Sequence, residues 1–171
     1  MPHYDVLISL GSNVDPAHWV PVANRILAAR FGAVAFSHAY RSEAVGTTEP
    51  RPAFVNQAAR FQTDLPFRAL HAALRHIEAR CGRKRSADRF APRTLDLDIV
   101  YGDAAFRATA VSGAVLPDPD LFDQLHVLVP CAEVWPDVPV PGSADSLGVR
   151  AAALPAEVRS RLARVALDEE G

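Results

Sequence analysis

The feature that most constrains the fold is a strict alternation of apolar and acidic residues near the middle of the chain. Three aliphatic residues alternate with Asp96 and Asp98, and together they predict a strand over residues 94–101. Side chains two residues apart on a strand point to the same face. The apolar face of this strand must therefore pack on a core, and the two carboxylates must lie close together on the other face.

Two carboxylates on one strand face repel each other unless a cation relieves them. Hard oxygen ligands of this kind favour a hard cation. In proteins this cation is usually Mg²⁺, bound together with substrate phosphates. Two structural alternatives stay open at this point, namely an ordinary solvated strand face and a salt-bridge cluster with nearby arginines.

A basic segment directly precedes the acidic strand. Residues 82–93 carry four arginines and a lysine, interrupted by Phe90 and Pro92. Arginine is planar, permanently charged and well matched to phosphate oxygens, and a long polar loop can close over a nucleotide. Metal-binding acids beside a phosphate-binding loop are the ingredients of phosphoryl transfer. A solvated run of surface charge is the alternative interpretation.

The bulk properties predict one cytoplasmic domain over residues 1–171. The chain is long enough for a sizeable core, and its formal net charge of -2 argues against a dedicated nucleic-acid binder. Its two cysteines, Cys81 and Cys131, have no metal-type spacing and are expected to be reduced and packed. No segment has the pattern of a signal peptide or a membrane span.

The remaining pattern predicts helices and strands that alternate irregularly, as in a mixed layer fold with an antiparallel sheet. A C-terminal helical extension is expected over 144–171, with a surface helix at 155–167. The other strands are expected over 4–10, 34–40 and 54–63, and the other helices over 16–31 and about 64–81.

The central motif resembles the signature of a known family. The sequence Arg-Thr-Leu-Asp-Leu-Asp-Ile at 93–99, preceded by 82–85 and 89–92, is similar to that of the 6-hydroxymethyl-7,8-dihydropterin pyrophosphokinases. These folate-pathway enzymes move a diphosphate from ATP to a pterin hydroxymethyl group and release AMP. The resemblance extends over roughly residues 5–136. It implies an α+β fold, a ferredoxin-like α/β/α sandwich with a four-stranded antiparallel core sheet.

The resemblance also implies roles for residues on the phosphate side. Asp96 and Asp98 would hold two Mg²⁺ ions between ATP and the pterin hydroxyl. Arg83 and Arg93 would neutralise charge on the transferred phosphates, which makes these four residues the expected catalytic set. The residues that would bind ATP are Glu78, Arg83, Arg85 and Arg93.

On the other side of the site, the resemblance implies a pterin pocket. Asn56 would hydrogen-bond the pterin ring, Phe54 would lie on one face of it, and the segment around Ser42 would read its edge. The full implied pterin-binding set is Ser42, Val45, Gly46, Phe54, Asn56 and His126. The implied partners are two small molecules bound by a monomer, without nucleic acid or membrane.

The chain departs from the family pattern in its second half. Asp118 stands in a Pro-Asp-Pro turn where the family usually has a histidine, Gln124 stands in place of an arginine, and His126 in place of an aromatic residue. A carboxylate beside polyphosphate is unfavourable. The alternative function is therefore a diverged paralogue that binds a pterin or nucleotide with little turnover.

Overall fold

The structure is a computed structural model that describes residues 1–43 and 48–167. The described residues form one six-stranded antiparallel sheet together with seven helices. The strands are β1 (Tyr4–Ser12), β2 (Val34–Phe36), β3 (Ala39–Ser42), β4 (Phe54–Thr63), β5 (Asp96–Gly102) and β6 (Ala163–Val165). The helices are α1 (Pro16–Phe31), α2 (Phe67–Arg80), α3 (Ala104–Arg107), α4 (Asp120–Asp123), α5 (Leu125–Val134), α6 (Leu147–Ala152) and α7 (Ala156–Arg159).

The sheet order confirms the predicted α+β class. The strands follow the order β5-β1-β4-β3-β6, and β2 also pairs with β4 beside β3. Because β2 and β3 share one position next to β4, the first five strands build the four-stranded antiparallel core that was expected. The number of strands is six and not four, because one expected strand is divided in two and because β6 is added at the edge of the sheet.

A bulge divides the strand that was predicted over 34–40. Phe36 pairs with Ala59 while Tyr40 pairs with Asn56, so one more residue lies on this side than on β4. The Ser37 hydroxyl accepts a hydrogen bond of 2.9 Å from the Ala58 amide inside the bulge. An extra residue of this kind bends a strand and re-aims the side chains that follow it.

The alternating pattern of β1 buries both faces of the sheet. Ile8 and Leu10 point to the face covered by α1 and α2, where they join Leu74 in one core. Leu7 points to the other face and joins Leu128 of α5 in a second core. The sheet is therefore the middle layer of an α/β/α sandwich, which is the layering that the sequence predicted.

The predicted surface helix over 155–167 is wrong in its second half. Only α7 forms there, and the chain then enters β6, which pairs with β3 through Tyr40 and Arg164. The two arginines of this segment, Arg161 and Arg164, are three positions apart and give no period-two pattern, so the strand follows from its pairing with β3 and not from a local signal. The boundary of a separate C-terminal extension at residue 144 stays a prediction.

One row of residues across the sheet locates the candidate site. Gly11 of β1 pairs with Asp96 of β5 on one side and with Asn56 of β4 on the other. Neighbouring strands lie about 4.8 Å apart. The acidic residue and the amide are therefore separated by a single strand, and that strand carries no side chain at this point. No helix within the described ranges is long and apolar enough to cross a membrane.

Candidate active site

A cavity of about 380 Å³ opens at this row of residues. It brings together most of the residues that the sequence analysis selected for the two substrates. Those that line it are Ser42, Phe54, Asn56, Arg93, Asp96, Asp98 and His126, and the departures Asp118 and Gln124 line it as well. Glu78, Arg83 and Arg85 are not among the lining residues, and Val45 and Gly46 lie outside the described residues.

The two aspartates face the cavity from the same side of β5. Arg93 pairs with Asp96 at 2.5 Å and Arg83 approaches it at 3.8 Å, so Asp96 is held among cations. The Asp98 side chain is 51% exposed and has weaker partners. Loss of bulk water inside the cavity, reinforced by the neighbouring Asp96 charge, raises the pKa of Asp98 to about 6. The negative charge at Asp98, which has only the long contact with Arg75 among the described residues, is therefore the less compensated of the two and lies on the side open to the cavity.

Sequence reasoning missed Arg75, which lies on α2. Its guanidinium is 2.5 Å from Glu78, 3.4 Å from Asp98 and 3.9 Å from Asp96. Burial alone would lower the pKa of Arg75, but the hydrogen bond to Glu78 and the surrounding carboxylates outweigh it and raise it. A signal existed, because Arg75 precedes Glu78 by three residues and shares its helix face.

Glu78 is a buried carboxylate behind the aspartates, with 1% of its side chain exposed. It accepts hydrogen bonds from Arg75 at 2.5 Å, from Arg85 at 2.6 Å and from the Leu97 amide at 2.8 Å. Leu97 stands between the two aspartates. Glu78 thus fixes the acidic strand and the start of the basic loop from the helix side.

Arg83 supports the acidic strand from close by. Its Nη1 donates to the Leu95 carbonyl at 3.3 Å, while its buried Nε has no hydrogen-bond partner in the structure. Burial is the main reason why the pKa of Arg83 is lowered, against the opposing charge of Asp96. This unpaired Nε is enclosed by protein, and Arg83 is not among the residues that line the cavity.

The loop end that carries Arg93 is fixed to the first strand. Asn13 Oδ1 accepts from the Arg93 amide at 2.7 Å, and the Asn13 amide donates to the Arg93 carbonyl at 2.9 Å. Asn13, which directly follows β1, therefore holds the backbone of the expected phosphate-binding arginine.

The amide expected to bind the pterin ring is already oriented. Asn56 is buried, and its Nδ2 donates to the Ser42 hydroxyl at 2.7 Å and to the Tyr40 carbonyl at 3.4 Å. Phe54 lies two residues earlier on β4 and lines the same cavity. Ser42 therefore contributes by fixing the Asn56 side chain as well as by lining the pocket.

The departures from the family pattern form another wall of the cavity, next to β5. The Asp118 carboxylate accepts the Asp120 amide at 2.9 Å, and the Asp118 amide donates to Val100 at 2.9 Å, so this residue shapes the turn before α4. Burial raises the pKa of Asp118 and lowers that of His126. Because its pKa lies below the ordinary value of 6.5, the half-buried His126 imidazole is mainly neutral at neutral pH.

Two loops meet beside the cavity through Arg51 and Phe90. The Arg51 guanidinium donates to the Phe90 carbonyl and lies 5.5 Å from the centre of the Phe90 ring. The Arg89 guanidinium lies 4.6 Å from the centre of the same ring. No local sequence pattern predicts this contact, because residues 51 and 90 are far apart along the chain.

The donor set at β5 fits Mg²⁺. Within residues 1–43 and 48–167, no three His, Cys, Asp or Glu side chains are grouped so that they could hold a metal ion. Mg²⁺ is usually bound through one or two carboxylates and completes its octahedron with water and substrate phosphates. Asp96 and Asp98 supply that number of carboxylates, and Asp98 is accessible from the cavity.

The fold and the cavity define an α+β protein in which an acid pair and arginines lie beside an aromatic side chain and a buried amide. The sequence model of the 7,8-dihydro-6-hydroxymethylpterin-pyrophosphokinase family matches residues 7–136. The chain belongs to this family.

Three relatives bear the name 2-amino-4-hydroxy-6-hydroxymethyldihydropteridine pyrophosphokinase. The protein of Methylorubrum extorquens is 36% identical over 140 residues, which cover 79% of this chain and 85% of the relative. That of Pseudomonas aeruginosa is 34% identical over 142 residues, which cover 80% of this chain and 83% of the relative. That of Synechocystis is 32% identical over 138 residues, which cover 78% of this chain and 68% of the relative.

Proposed function

We propose that the protein transfers a diphosphate from ATP to the hydroxymethyl group of 6-hydroxymethyl-7,8-dihydropterin and releases AMP. One observation carries this proposal beyond family membership. The acid pair Asp96 and Asp98 opens onto the same cavity as Asn56 and Phe54, one strand away across Gly11. The residues proposed to act on the phosphates and those proposed to bind the pterin ring therefore line the same cavity.

The pterin lies against β4 in this proposal. Asn56, which Ser42 orients, hydrogen-bonds the ring, and Phe54 covers one of its faces. The neutral His126 imidazole takes the opposite face, where its flat ring replaces the more usual aromatic residue. The segment that includes Val45 and Gly46 reads the ring edge through its backbone.

The triphosphate lies across the cationic side of the cavity. Arg93 and Arg83 neutralise the charge that spreads over the transferred group, and electrostatic stabilisation of this kind is a major part of phosphoryl transfer. Arg85 extends this set from the loop. Glu78 acts on ATP indirectly in our proposal, by holding Arg85 and the acidic strand in place.

Asp96 and Asp98 hold two Mg²⁺ ions. When bound, the metal lowers the pKa of the attacking hydroxyl and neutralises phosphate charge. The protein groups do the rest: Asn56 and Phe54 orient the hydroxymethyl group, and Arg93, held through Asn13, meets the transferred phosphates.

An assay for AMP tests the activity. The protein is incubated with ATP, Mg²⁺ and 6-hydroxymethyl-7,8-dihydropterin, and AMP is separated by chromatography and quantified. We expect AMP in an amount equal to the pterin consumed, and none when the pterin is omitted. Absence of AMP from folded protein, with several pterins tried, would contradict the proposal.

The second candidate is a protein that binds a pterin or nucleotide with little turnover. The presence of the Asp118 carboxyl in the cavity wall favours it, because an acid there opposes a polyphosphate. Against it, Asp118 already accepts the Asp120 amide and belongs to a turn. Calorimetry separates the two functions, since tight binding of the pterin or ATP without AMP formation supports only the second.

The protein acts as a cytoplasmic monomer in this proposal, with ATP and the pterin as its partners and no nucleic acid. The formal net charge of -2 and the carboxylates in the cavity support the last point, because they repel nucleic-acid phosphates. Light scattering coupled to size-exclusion chromatography checks the monomer, and a dimer mass would contradict it.

A further inference from the structure

The guanidinium of Arg75 reaches the acidic pair from outside the sheet. Arg75 belongs to α2, which packs beside the edge strand β5, and its Nη2 lies 3.4 Å from Asp98 Oδ1. Within the described part of the chain, Arg75 is the one basic side chain within 4.0 Å of Asp98. Asp96 is different, because it pairs with Arg93 and Arg83 as well.

The contacts of Arg75 are unequal in strength. Its bond to Glu78 is short, at 2.5 Å, and Glu78 is buried, whereas its contacts with Asp98 and Asp96 measure 3.4 and 3.9 Å. Charge-assisted N–H···O bonds are strong near 2.7–2.9 Å and weaken as they lengthen. Arg75 can therefore release Asp98 while it stays attached to Glu78.

A divalent cation at Asp98 would meet this guanidinium as a like charge. Coulomb repulsion between a single and a double charge a few ångströms apart is substantial even near a surface. The same guanidinium also lies against one of the Asp98 oxygens that a metal would use, at 3.4 Å. Both effects oppose metal entry, and both disappear if the side chain is neutral.

We propose that Arg75 is an internal competitor of the metal, a positioning residue that occupies the Asp98 carboxylate in the unloaded site and sets the affinity for the divalent cation. Glu78 is the acceptor that retains Arg75 when Asp98 is released. The inference rests on the proposed function, because it takes Asp96 and Asp98 as the carboxylates that hold the metal.

Binding of Mn²⁺ alone tests this proposal, measured at pH 8 without nucleotide from the electron paramagnetic resonance signal of the free ion. Arg75→Gln should bind Mn²⁺ more tightly than the wild type by a factor on the order of ten. Arg80→Gln is the matched control, since it removes the same charge from the same helix at an exposed position. It should bind like the wild type.

Two further measurements keep the test decisive if Arg75→Gln folds poorly. Arg75→Lys keeps the charge and should bind Mn²⁺ within about threefold of the wild type. In the wild type, the nuclear magnetic resonance signal of the Arg75 side-chain N–H should shift during a Mg²⁺ titration, with the same midpoint as metal binding. A signal that does not respond to Mg²⁺ would overturn the proposal.

The outcomes separate this inference from the proposed function. If the wild type binds Mn²⁺ and Arg75→Gln binds no more tightly than Arg80→Gln, the competition is disproved while the metal site stands. If none of the folded proteins binds Mn²⁺, the metal assignment of Asp96 and Asp98 fails, and the inference fails with it.

Discussion

The Leu97 amide donates a hydrogen bond of 2.8 Å to Oε1 of Glu78, and this bond ties the acidic strand to the helix beside it. Strand β5 lies at the edge of the sheet, so its outward amides have no partner strand. Glu78 provides the missing acceptor at the residue between Asp96 and Asp98. The spacing of the two aspartates therefore depends on a buried carboxylate that does not line the cavity.

Replacing Glu78 with Gln tests this dependence. The amide can still accept from Leu97, but the negative charge between Arg75 and Arg85 is lost, and those guanidinium groups lose their buried partner. We expect the free energy of unfolding to fall by about 1–3 kcal/mol, the usual cost of a broken charged hydrogen bond. Urea unfolding measures this, and Glu157→Gln on the exposed helix α7 is the control. Equal stability of the two variants would show that the Glu78 charge has no structural role.

The Asp98 carboxylate is expected to serve the reaction rather than the fold. Asp98→Asn should reduce AMP formation at least about a hundredfold, because one metal-holding oxygen and its charge are lost. The thermal midpoint should stay near that of the wild type, since the long contact with Arg75 is the one ion pair that Asp98 makes among the described residues. A large loss of stability would mean that the aspartates are structural. Asp64→Asn, at an exposed position after β4, is the matched control and should leave both properties unchanged.

The sequence predicted the elements that a short local pattern defines. The alternation around Asp96 and Asp98 was sufficient for β5, and the helical spacing of apolar residues was sufficient for α2. The strand expected over 34–40 is divided by the bulge at Ser37. The position of this bulge depends on how the segment pairs with β4, and the sequence of the segment does not reveal that pairing. Strand β6 was missed because its edge position depends on pairing with β3.

The candidate site shows the same division between local and non-local information. Motif positions such as Arg93 and Asn56 were predicted, and they do line the cavity. Arg75 was missed because it reaches Asp98 across the edge of the sheet, from an element 23 positions earlier in the sequence. Contacts of this kind follow from how α2 packs on β5, which no local pattern reports.

The packing of Gly102 against Phe106 gives a test of the fold that is independent of the site. A Cβ atom at Gly102 would lie 2.3 Å from Cδ1 of Phe106, whose side chain is fully buried and contacts Tyr4. Gly102→Ala should therefore cost about 1–3 kcal/mol of stability through overpacking. Gly11→Ala is the control, because a Cβ there meets its nearest atom at 3.7 Å. Similar urea midpoints for the two variants would contradict the packing described for α3.

The pH dependence of stability should report on Glu133, which joins α5 to β3. Its carboxylate accepts from the Tyr40 hydroxyl, from the His38 amide at 3.0 Å and from the His38 ring at 2.9 Å. Burial alone would raise the pKa of Glu133, but the hydrogen bonds from Tyr40 and His38 outweigh it and lower the pKa below its ordinary value of 4.5. The folded state therefore binds this proton less readily than the unfolded state.

A carboxyl group whose pKa is lowered by folding stabilises the folded protein at pH values above its unfolded-state pKa. This contribution is lost as the pH falls through the lower pKa of the folded state. The stability difference between the wild type and Glu133→Gln should consequently be largest at neutral pH and should narrow below about pH 4.5. Urea unfolding from pH 3.5 to 7 measures it. Glu157→Gln is again the control, because its exposed carboxylate should give a difference that stays small throughout. A difference for Glu133→Gln that does not change with pH would show that the Tyr40 and His38 contacts do not stabilise the ionised carboxylate.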